Sequence, residues 1–191
     1  MHVTKSILYF NEPGAGCLKD CADAAAARAA DLGLMHAVCA TTSGRTALAL
    51  ARALAKAGSK ARVVGVAYAE NYARKWGRLN PRIKVQAEEL GVVFCSAGHA
   101  MGGINTAISD KFGTLTPNKL IAAAYYTLGQ GFKVAVEVSL MAADQGLVPS
   151  GKEVLALGGS ANGADTALVI RAACSGEFFK LRVPEIVCLP R

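Results

Sequence analysis

Residues 38–47 join a short apolar run to an alanine- and leucine-rich segment through a turn of hydroxyl residues, one glycine and one arginine. The apolar run predicts a buried strand, and Ala47, Leu50 and Leu54 recur after it at helical spacing. The first amides of a helix lack partners within the helix and, together with its dipole, attract anions. Arg45 can hold a phosphate through two parallel hydrogen bonds. The segment therefore predicts a strand, a phosphate-binding turn and a helix.

The same residues also fit a simpler interpretation. Thr42 or Ser43 would be the N-cap of the helix, and Arg45 would be an ordinary solvated side chain. Taken alone, this segment does not decide between a phosphate site and a capped helix.

The alternation of strand, turn and helix continues along the chain and predicts its fold class. We expect an α/β fold with three layers, a mostly parallel sheet flanked by helices, forming one domain over residues 1–191. An aromatic and basic stretch, residues 70–80, interrupts the pattern and is predicted to be a loop or lid. The predicted strands are 6–10, 36–41, 61–68, 92–96, 133–140, 152–157, 166–171 and 185–189. The predicted helices are 17–32, 45–57, 81–90, a segment ending at 110, and 117–128.

Composition narrows the possible partners. The formal net charge is +7, and the densest basic segment, residues 74–84, includes one tryptophan. No nucleic-acid motif accompanies it, so we expect a phosphorylated small molecule and no nucleic acid. No signal peptide or membrane-spanning run is visible, and a cytoplasmic location is expected. Cysteine spacing does not match a zinc site, and no metal is expected.

Polar and glycine-rich segments fall mainly at the predicted carboxyl ends of the strands. Ligands of parallel sheets bind at that edge, so a shared pocket is expected there. Ordinary turn chemistry is the alternative, because glycine also serves tight turns. The segments are residues 11–16, 41–46, 68–72, 98–103, 139–146 and 158–165.

Two titratable residues are candidates for catalysis. His99 lies in a glycine-rich turn and can act as an acid or a base near neutral pH. Glu137 falls inside a predicted strand, and Asp144 just after it, where a carboxylate can orient a ligand. Their spacing specifies no reaction, and solvated or structural roles remain open for all three.

The turn Thr-Thr-Ser-Gly-Arg-Thr-Ala at residues 41–47 and the helix after it resemble the carboxy-terminal domain of pyruvate kinase. In that family the turn holds a phosphate of a sugar-bisphosphate effector. Nearly the whole chain resembles a stand-alone family of pyruvate-kinase-like α/β-domain proteins found in archaea and bacteria. This second resemblance rests on residues 9–14, on 136–138 with 141–144, on 158–159 with 163–167, and on 185–191. It implies that flavin mononucleotide is the bound cofactor.

The resulting hypothesis is a protein that binds a phosphorylated ligand, flavin mononucleotide, at the carboxyl ends of the strands. The catalytic barrel of pyruvate kinases takes about 250 residues, more than this chain has, so pyruvate kinase activity is not expected. Two alternatives are a flavin-dependent oxidoreductase or other small-molecule enzyme, and a regulatory protein that senses sugar phosphates. A homo-oligomer is expected because symmetric oligomers are common.

The hypothesis assigns residues to two roles. His99 and Glu137 are the catalytic candidates. The residues predicted to bind the phosphate or the cofactor are Thr41, Thr42, Ser43, Gly44, Arg45, Thr46, Tyr68, Gly98, His99, Met101, Gly102, Glu137, Met141, Gly158, Gly159, Gly163, Ala164, Asp165 and Thr166.

Overall fold

Seven strands form one mixed sheet in the computed structural model, which describes residues 2–191. The strand order is β1-β7-β6-β5-β2-β3-β4. Only β6 runs antiparallel to its neighbours, and the other pairings are parallel. The strands are β1 (Leu8–Phe10), β2 (His36–Ala40), β3 (Arg62–Ala67), β4 (Val93–Ser96), β5 (Glu153–Gly158), β6 (Thr166–Arg171) and β7 (Arg182–Pro190). The predicted α/β class with a mostly parallel sheet is confirmed.

Helices cover both faces of the sheet and complete three layers. Successive β2 residues alternate between two apolar cores, because side chains of a strand point to opposite faces. Ala37 and Cys39 join α1, α2 and α4 in one core, whereas Val38 joins α6 and α7 in the other. The helices are α1 (Leu18–Leu32), α2 (Arg45–Lys56), α3 (Glu70–Trp76), α4 (Pro81–Glu88), α5 (Ile104–Phe112), α6 (Pro117–Tyr126) and α7 (Gln130–Asp144). Short 3₁₀ turns span Ala15–Cys17 and Ser175–Lys180.

The strand predicted at residues 133–140 is wrong, because this segment lies inside helix α7. An unbroken apolar run fits a doubly buried strand and a buried helix equally well by periodicity. Here the helix is buried nearly all round, with Ala135, Val136 and Ala142 fully inaccessible. Asp144 therefore does not follow a strand. It lies at the end of α7, where its Oδ1 accepts a hydrogen bond of 2.7 Å from the Ser175 amide.

The loop or lid predicted at residues 70–80 is also partly wrong, because residues 70–76 form α3. Glu70 accepts hydrogen bonds from Arg74, one turn later, and from both terminal nitrogens of Arg78. These two arginines hold the pKa of Glu70 at about 2. Tyr72 and Trp76, four residues apart, stack with ring centroids 5.0 Å apart. Side-chain pairs at helical spacing thus stabilise a segment whose apolar pattern is weak.

The remaining predicted elements match the structure within a few residues at each end. The helix predicted to finish before Gly33 does so, with that glycine in the left-handed conformation at φ 61°. Among residues 2–191, no helix combines the length and apolar character required to cross a membrane.

Candidate functional site

A cavity of about 630 Å³ opens at the carboxyl ends of β2, β3 and β5. The first turn of α2 forms one wall, one face of α7 forms another, and the loop after β5 forms a third. Its volume falls within the roughly 300–1,000 Å³ of small-molecule sites. The lining residues are Ala15, Leu18, Ala40, Thr41, Thr42, Ser43, Arg45, Thr46, Val66, Ala67, Tyr68, His99, Gln130, Val134, Glu137, Val138, Met141, Gly159, Ser160, Ala161, Asn162 and Gly163.

The turn before α2 leaves backbone amides free for a ligand. Gly44 is the N-cap, at φ 95°, and its amide donates a 3.1 Å hydrogen bond to Oγ1 of Thr41. The first backbone bond of the helix runs from the Leu48 amide to the Gly44 carbonyl, at 3.0 Å. The amides of residues 45–47 therefore precede the helical hydrogen-bond ladder, as expected for a helix start.

The simpler interpretation of this turn, in which Thr42 or Ser43 caps the helix, is wrong. The cap is Gly44, and no side chain caps α2. The hydroxyl residues Thr42 and Ser43 are half-buried and line the cavity instead. Their hydroxyl groups can therefore face a ligand.

Arg45 brings positive charge to the same wall. Arg45 is exposed to solvent, and it lines the cavity. None of the salt bridges found within residues 2–191 involves Arg45. An unpaired guanidinium beside a helix N-terminus attracts an anion through two favourable electrostatic contributions.

A buried carboxylate lies on the α7 wall. Glu137 is 4% exposed, and its Oε1 accepts a 2.8 Å hydrogen bond from the Met101 amide. Its Oε2 accepts a hydrogen bond from Lys133, one helical turn earlier, and lies 3.8 Å from Nδ1 of His99. The carboxylate is thus compensated by an ammonium group and an amide, as a buried charge requires.

His99 contributes its imidazole to the cavity. Burial holds the pKa of His99 below its usual value, although Glu137 opposes that shift, and Lys133 adds to it. Within residues 2–191, the buried Nε2 of His99 has no hydrogen-bond partner. An unsatisfied buried polar atom is costly, so this nitrogen marks an incompletely satisfied position beside the cavity.

Aromatic rings surround the imidazole. The Tyr68 ring is stacked with that of His99 at 5.9 Å and 7°, and the Tyr72 ring centroid lies 4.5 Å from it. Tyr68 also contacts Trp76, with ring centroids 5.4 Å apart. Of this cluster, Tyr68 and His99 line the cavity, so one part of the cavity wall offers flat rings to a ligand.

The comparison with protein-family models identifies a family for this chain. The model of the family described as "Pyruvate kinase, alpha/beta domain" covers residues 19–170 of the 191. The chain belongs to this family. In this pyruvate kinase alpha/beta domain the match includes the turn before α2, His99, the cavity face of α7 and the loop after β5. It also includes every other lining residue except Ala15 and Leu18. The resemblance seen in the turn at residues 41–47 thus extends over most of the chain.

In this pyruvate kinase alpha/beta domain, most of the residues predicted from the sequence to bind the phosphate or the cofactor lie at the cavity. Eleven of them line the cavity: Thr41, Thr42, Ser43, Arg45, Thr46, Tyr68, His99, Glu137, Met141, Gly159 and Gly163. The others lie outside the lining: Gly44, Gly98, Met101, Gly102, Gly158, Ala164, Asp165 and Thr166. The roles of both groups in binding or catalysis stay predictions.

Two of the residues outside the lining, Asp165 and Gly158, shape the elements that form the cavity walls. Asp165 is fully buried, and its carboxylate accepts 3.0 Å hydrogen bonds from the amides of Gly14 and Ser160 and from the Thr166 hydroxyl. At Gly158, the close neighbour is the backbone of α7. A Cβ there would lie 2.1 Å from the Gly131 carbonyl oxygen.

The sequence predicts Glu137 and Met141 as site residues but not the other residues on the cavity face of α7, because residues 133–140 are predicted to form a strand. Periodicity does not separate a fully buried helix from a buried strand, so the available signal is length, since α7 has 15 residues and buried strands usually have about four to eight. The missed α7 residues are Gln130, Val134 and Val138.

Proposed function

We propose that this protein binds a phosphorylated small molecule in the cavity, with the phosphate at the first turn of α2, and that this molecule is flavin mononucleotide. One observation carries the proposal. Free amides, hydroxyl residues and the unpaired Arg45 lie on one wall of a cavity whose other walls combine apolar and aromatic side chains with polar ones.

The phosphate end is argued from charge and hydrogen bonding. A phosphate brings about two negative charges and several acceptor oxygens, and it needs donors more than any other part of the ligand. The amides of residues 45–47 and the Thr42 and Ser43 hydroxyls are such donors. Arg45 and the positive end of the α2 dipole balance the charge.

The rest of the cavity lining suits a flat, partly polar group. Val66, Val138 and Met141 offer apolar surface, and Tyr68 offers an aromatic ring. His99 Nε2 has no hydrogen-bond partner, and flavin mononucleotide carries hydroxyl groups on its ribityl chain and both donors and acceptors on its ring. A cavity of about 630 Å³ is in the range for a ligand of this size. When bound, a flavin supplies redox chemistry itself, and the protein positions and tunes it.

The same cavity could also serve the two alternative functions, a sugar-phosphate sensor and an enzyme. A regulatory sugar phosphate would occupy the same turn before α2, since that turn recognises the phosphate alone. An enzymatic activity would find its acid or base in His99 and Glu137. Nucleic acid is not proposed, because Glu70 already pairs with Arg74 and Arg78, two cations of the basic segment. A cytoplasmic location remains part of the proposal.

Flavin mononucleotide is expected to bind more tightly than riboflavin, which lacks only the phosphate. Charge-assisted hydrogen bonds contribute about 1.5–3 kcal/mol, equivalent to roughly 10- to 100-fold in Kd. Titration calorimetry of the full chain with each flavin measures the difference.

Inorganic phosphate is the control for this comparison, since it should compete with flavin mononucleotide and leave riboflavin binding unchanged. Equal affinity for the two flavins would contradict the placement of the phosphate. Binding of sugar phosphates with no binding of either flavin would favour the regulatory alternative.

A further inference from the structure

Two of the six cysteines are in contact inside the core, although they lie 167 residues apart in the sequence. Cys21 belongs to α1, and Cys188 belongs to β7. Both residues are fully inaccessible to solvent, and the Cys188 thiol donates a hydrogen bond of 3.5 Å to Sγ of Cys21. The fold therefore brings together two thiols, one from the first helix and one from the last strand.

The contact between these sulfur atoms needs little change to become a covalent bond. A disulfide joins its sulfur atoms at about 2.05 Å. From 3.5 Å, the two sulfur atoms would have to approach each other by about 1.5 Å. Each sulfur turns about its own Cα–Cβ bond, so side-chain rotation and a small shift of α1 can close this distance.

The packing around the two thiols holds them against each other. Cys188 is paired with β1 on one side and with β6 on the other, which fixes its backbone. Beside Cys21 on α1, Ala22 and Ala25 are buried in the same core. Small side chains let a helix lie close to a sheet in a well-packed interior. The pair therefore belongs to two elements that lie in close contact.

The other cysteines do not form such a pair. Cys39 lies on β2 and Cys95 on β4, and strand β3 separates them. Neighbouring strands lie about 4.8 Å apart, so these two cysteines are roughly 10 Å apart, beyond the limit of about 7 Å between Cα atoms for a disulfide. The thiols of Cys17 and Cys174 donate to backbone carbonyl groups, at 3.1 and 3.7 Å. The contact between α1 and β7 is thus the one suited to a cross-link among residues 2–191.

We propose that Cys21 and Cys188 form a dithiol–disulfide site, at which a low-molecular-weight disulfide such as oxidised glutathione cross-links the chain. One cysteine thiolate attacks the oxidised glutathione and releases one glutathione thiolate. The other cysteine thiolate then attacks the mixed disulfide and releases the second glutathione thiolate. The two released thiolates take up the two protons that the cysteines lose, and two electrons pass from the protein to glutathione.

Burial makes this exchange slow. The thiolate is the reactive form of cysteine, and the hydrogen bond from Cys188, together with burial, raises the pKa of the Cys21 thiol. The pair therefore reacts when α1 opens locally from the sheet. In a reducing compartment the two cysteines stay as thiols. The site thus responds to prolonged oxidation, and the disulfide, once formed, is shielded from reductants in the same way.

The cross-link is expected to stabilise the fold. It would join residues 167 positions apart, and long loops lose the most conformational entropy in the unfolded chain. The expected increase in Tm is about 5–15 °C for a chain of this length.

Equilibration of the full chain in a buffer of oxidised and reduced glutathione tests the proposal. Urea below the unfolding midpoint is present during the incubation so that α1 can open, and it is then removed. Remaining thiols are alkylated in denaturant and counted by intact mass, and peptide mapping identifies the bond. We expect four of the six cysteines to be alkylated, a bond between Cys21 and Cys188, and the increase in Tm given above.

Cys21→Ala and Cys188→Ala should each leave every remaining thiol free and show no increase in Tm on oxidation. Cys95→Ala is the matched control, because it removes a thiol outside the pair and should still form the bond. Each variant is compared with its own reduced form, so any loss of stability caused by the substitution cancels. Six free thiols in the natural chain, both after this incubation and after refolding from urea in the same buffer, would overturn the proposal. A bond mapped to other cysteines would also overturn it.

Discussion

Replacing Gly158 by alanine is expected to destabilise the fold by about 3 kcal/mol or more, at or above the upper end for overpacked sites. The added Cβ would lie 2.1 Å from the Gly131 carbonyl oxygen and 2.7 Å from the Ala135 amide nitrogen. Both atoms belong to the backbone of α7, so no side-chain rotation can relieve the overlap. Helix α7 would have to move away from the sheet. Urea unfolding followed by circular dichroism measures the loss.

Gly176→Ala is the control for this substitution, because nothing lies within 4 Å of the added Cβ. Its free energy of unfolding should stay within about 0.5 kcal/mol of that of the natural chain. If Gly158→Ala were equally neutral, α7 would not pack on β5 as closely as described. The cavity wall that α7 provides would then be misplaced.

Asp165→Ala is expected to cost roughly 3 kcal/mol or more, since three hydrogen-bond donors lose their common acceptor together. The carboxylate is fully buried, and it holds the Gly14 amide, the Ser160 amide and the Thr166 hydroxyl. Without it, the loop before α1 and the loop after β5 lose their common acceptor. Thermal and urea unfolding measure the loss of stability.

Asp144→Ala is the matched comparison for Asp165→Ala. Asp144 is exposed, and its carboxylate accepts one hydrogen bond, from the Ser175 amide. This variant should lose only about 1 kcal/mol, the contribution of a typical single hydrogen bond. Equal losses for the two aspartates would show that Asp165 does not hold the two loops together.

The sequence was sufficient to predict the α/β class and the turn before α2. Strands β2 and β3 follow apolar runs with clear ends, and Gly44 and Arg45 belong to a turn whose chemistry is local. The helix α7 could not be recognised, because it is buried nearly all round and so lacks the polar stripe that distinguishes a surface helix from a buried strand.

Contacts that no local sequence pattern reveals explain the other differences between the prediction and the structure. Asp165 is a structural acceptor because Gly14, far away in sequence, lies beside it, and no local pattern carries that information. Arg78, which lies beyond the end of α3, pairs with Glu70 at the start of that helix, and local periodicity does not reveal this pair. The unpartnered Nε2 of His99 likewise depends on which residues the fold places around it.

The central claim, that Arg45 and the first turn of α2 hold the phosphate of a ligand, is tested most directly by the binding of flavin mononucleotide to the Arg45→Ala variant. Loss of the guanidinium should weaken binding by about 1.5–3 kcal/mol. Arg52→Ala is the control, because Arg52 is exposed on the same helix but lines a different groove. The account predicts that only the Arg45 variant loses affinity, and that its affinity for riboflavin is unchanged. Unchanged binding of flavin mononucleotide by Arg45→Ala, or an equal loss in both variants, would contradict it.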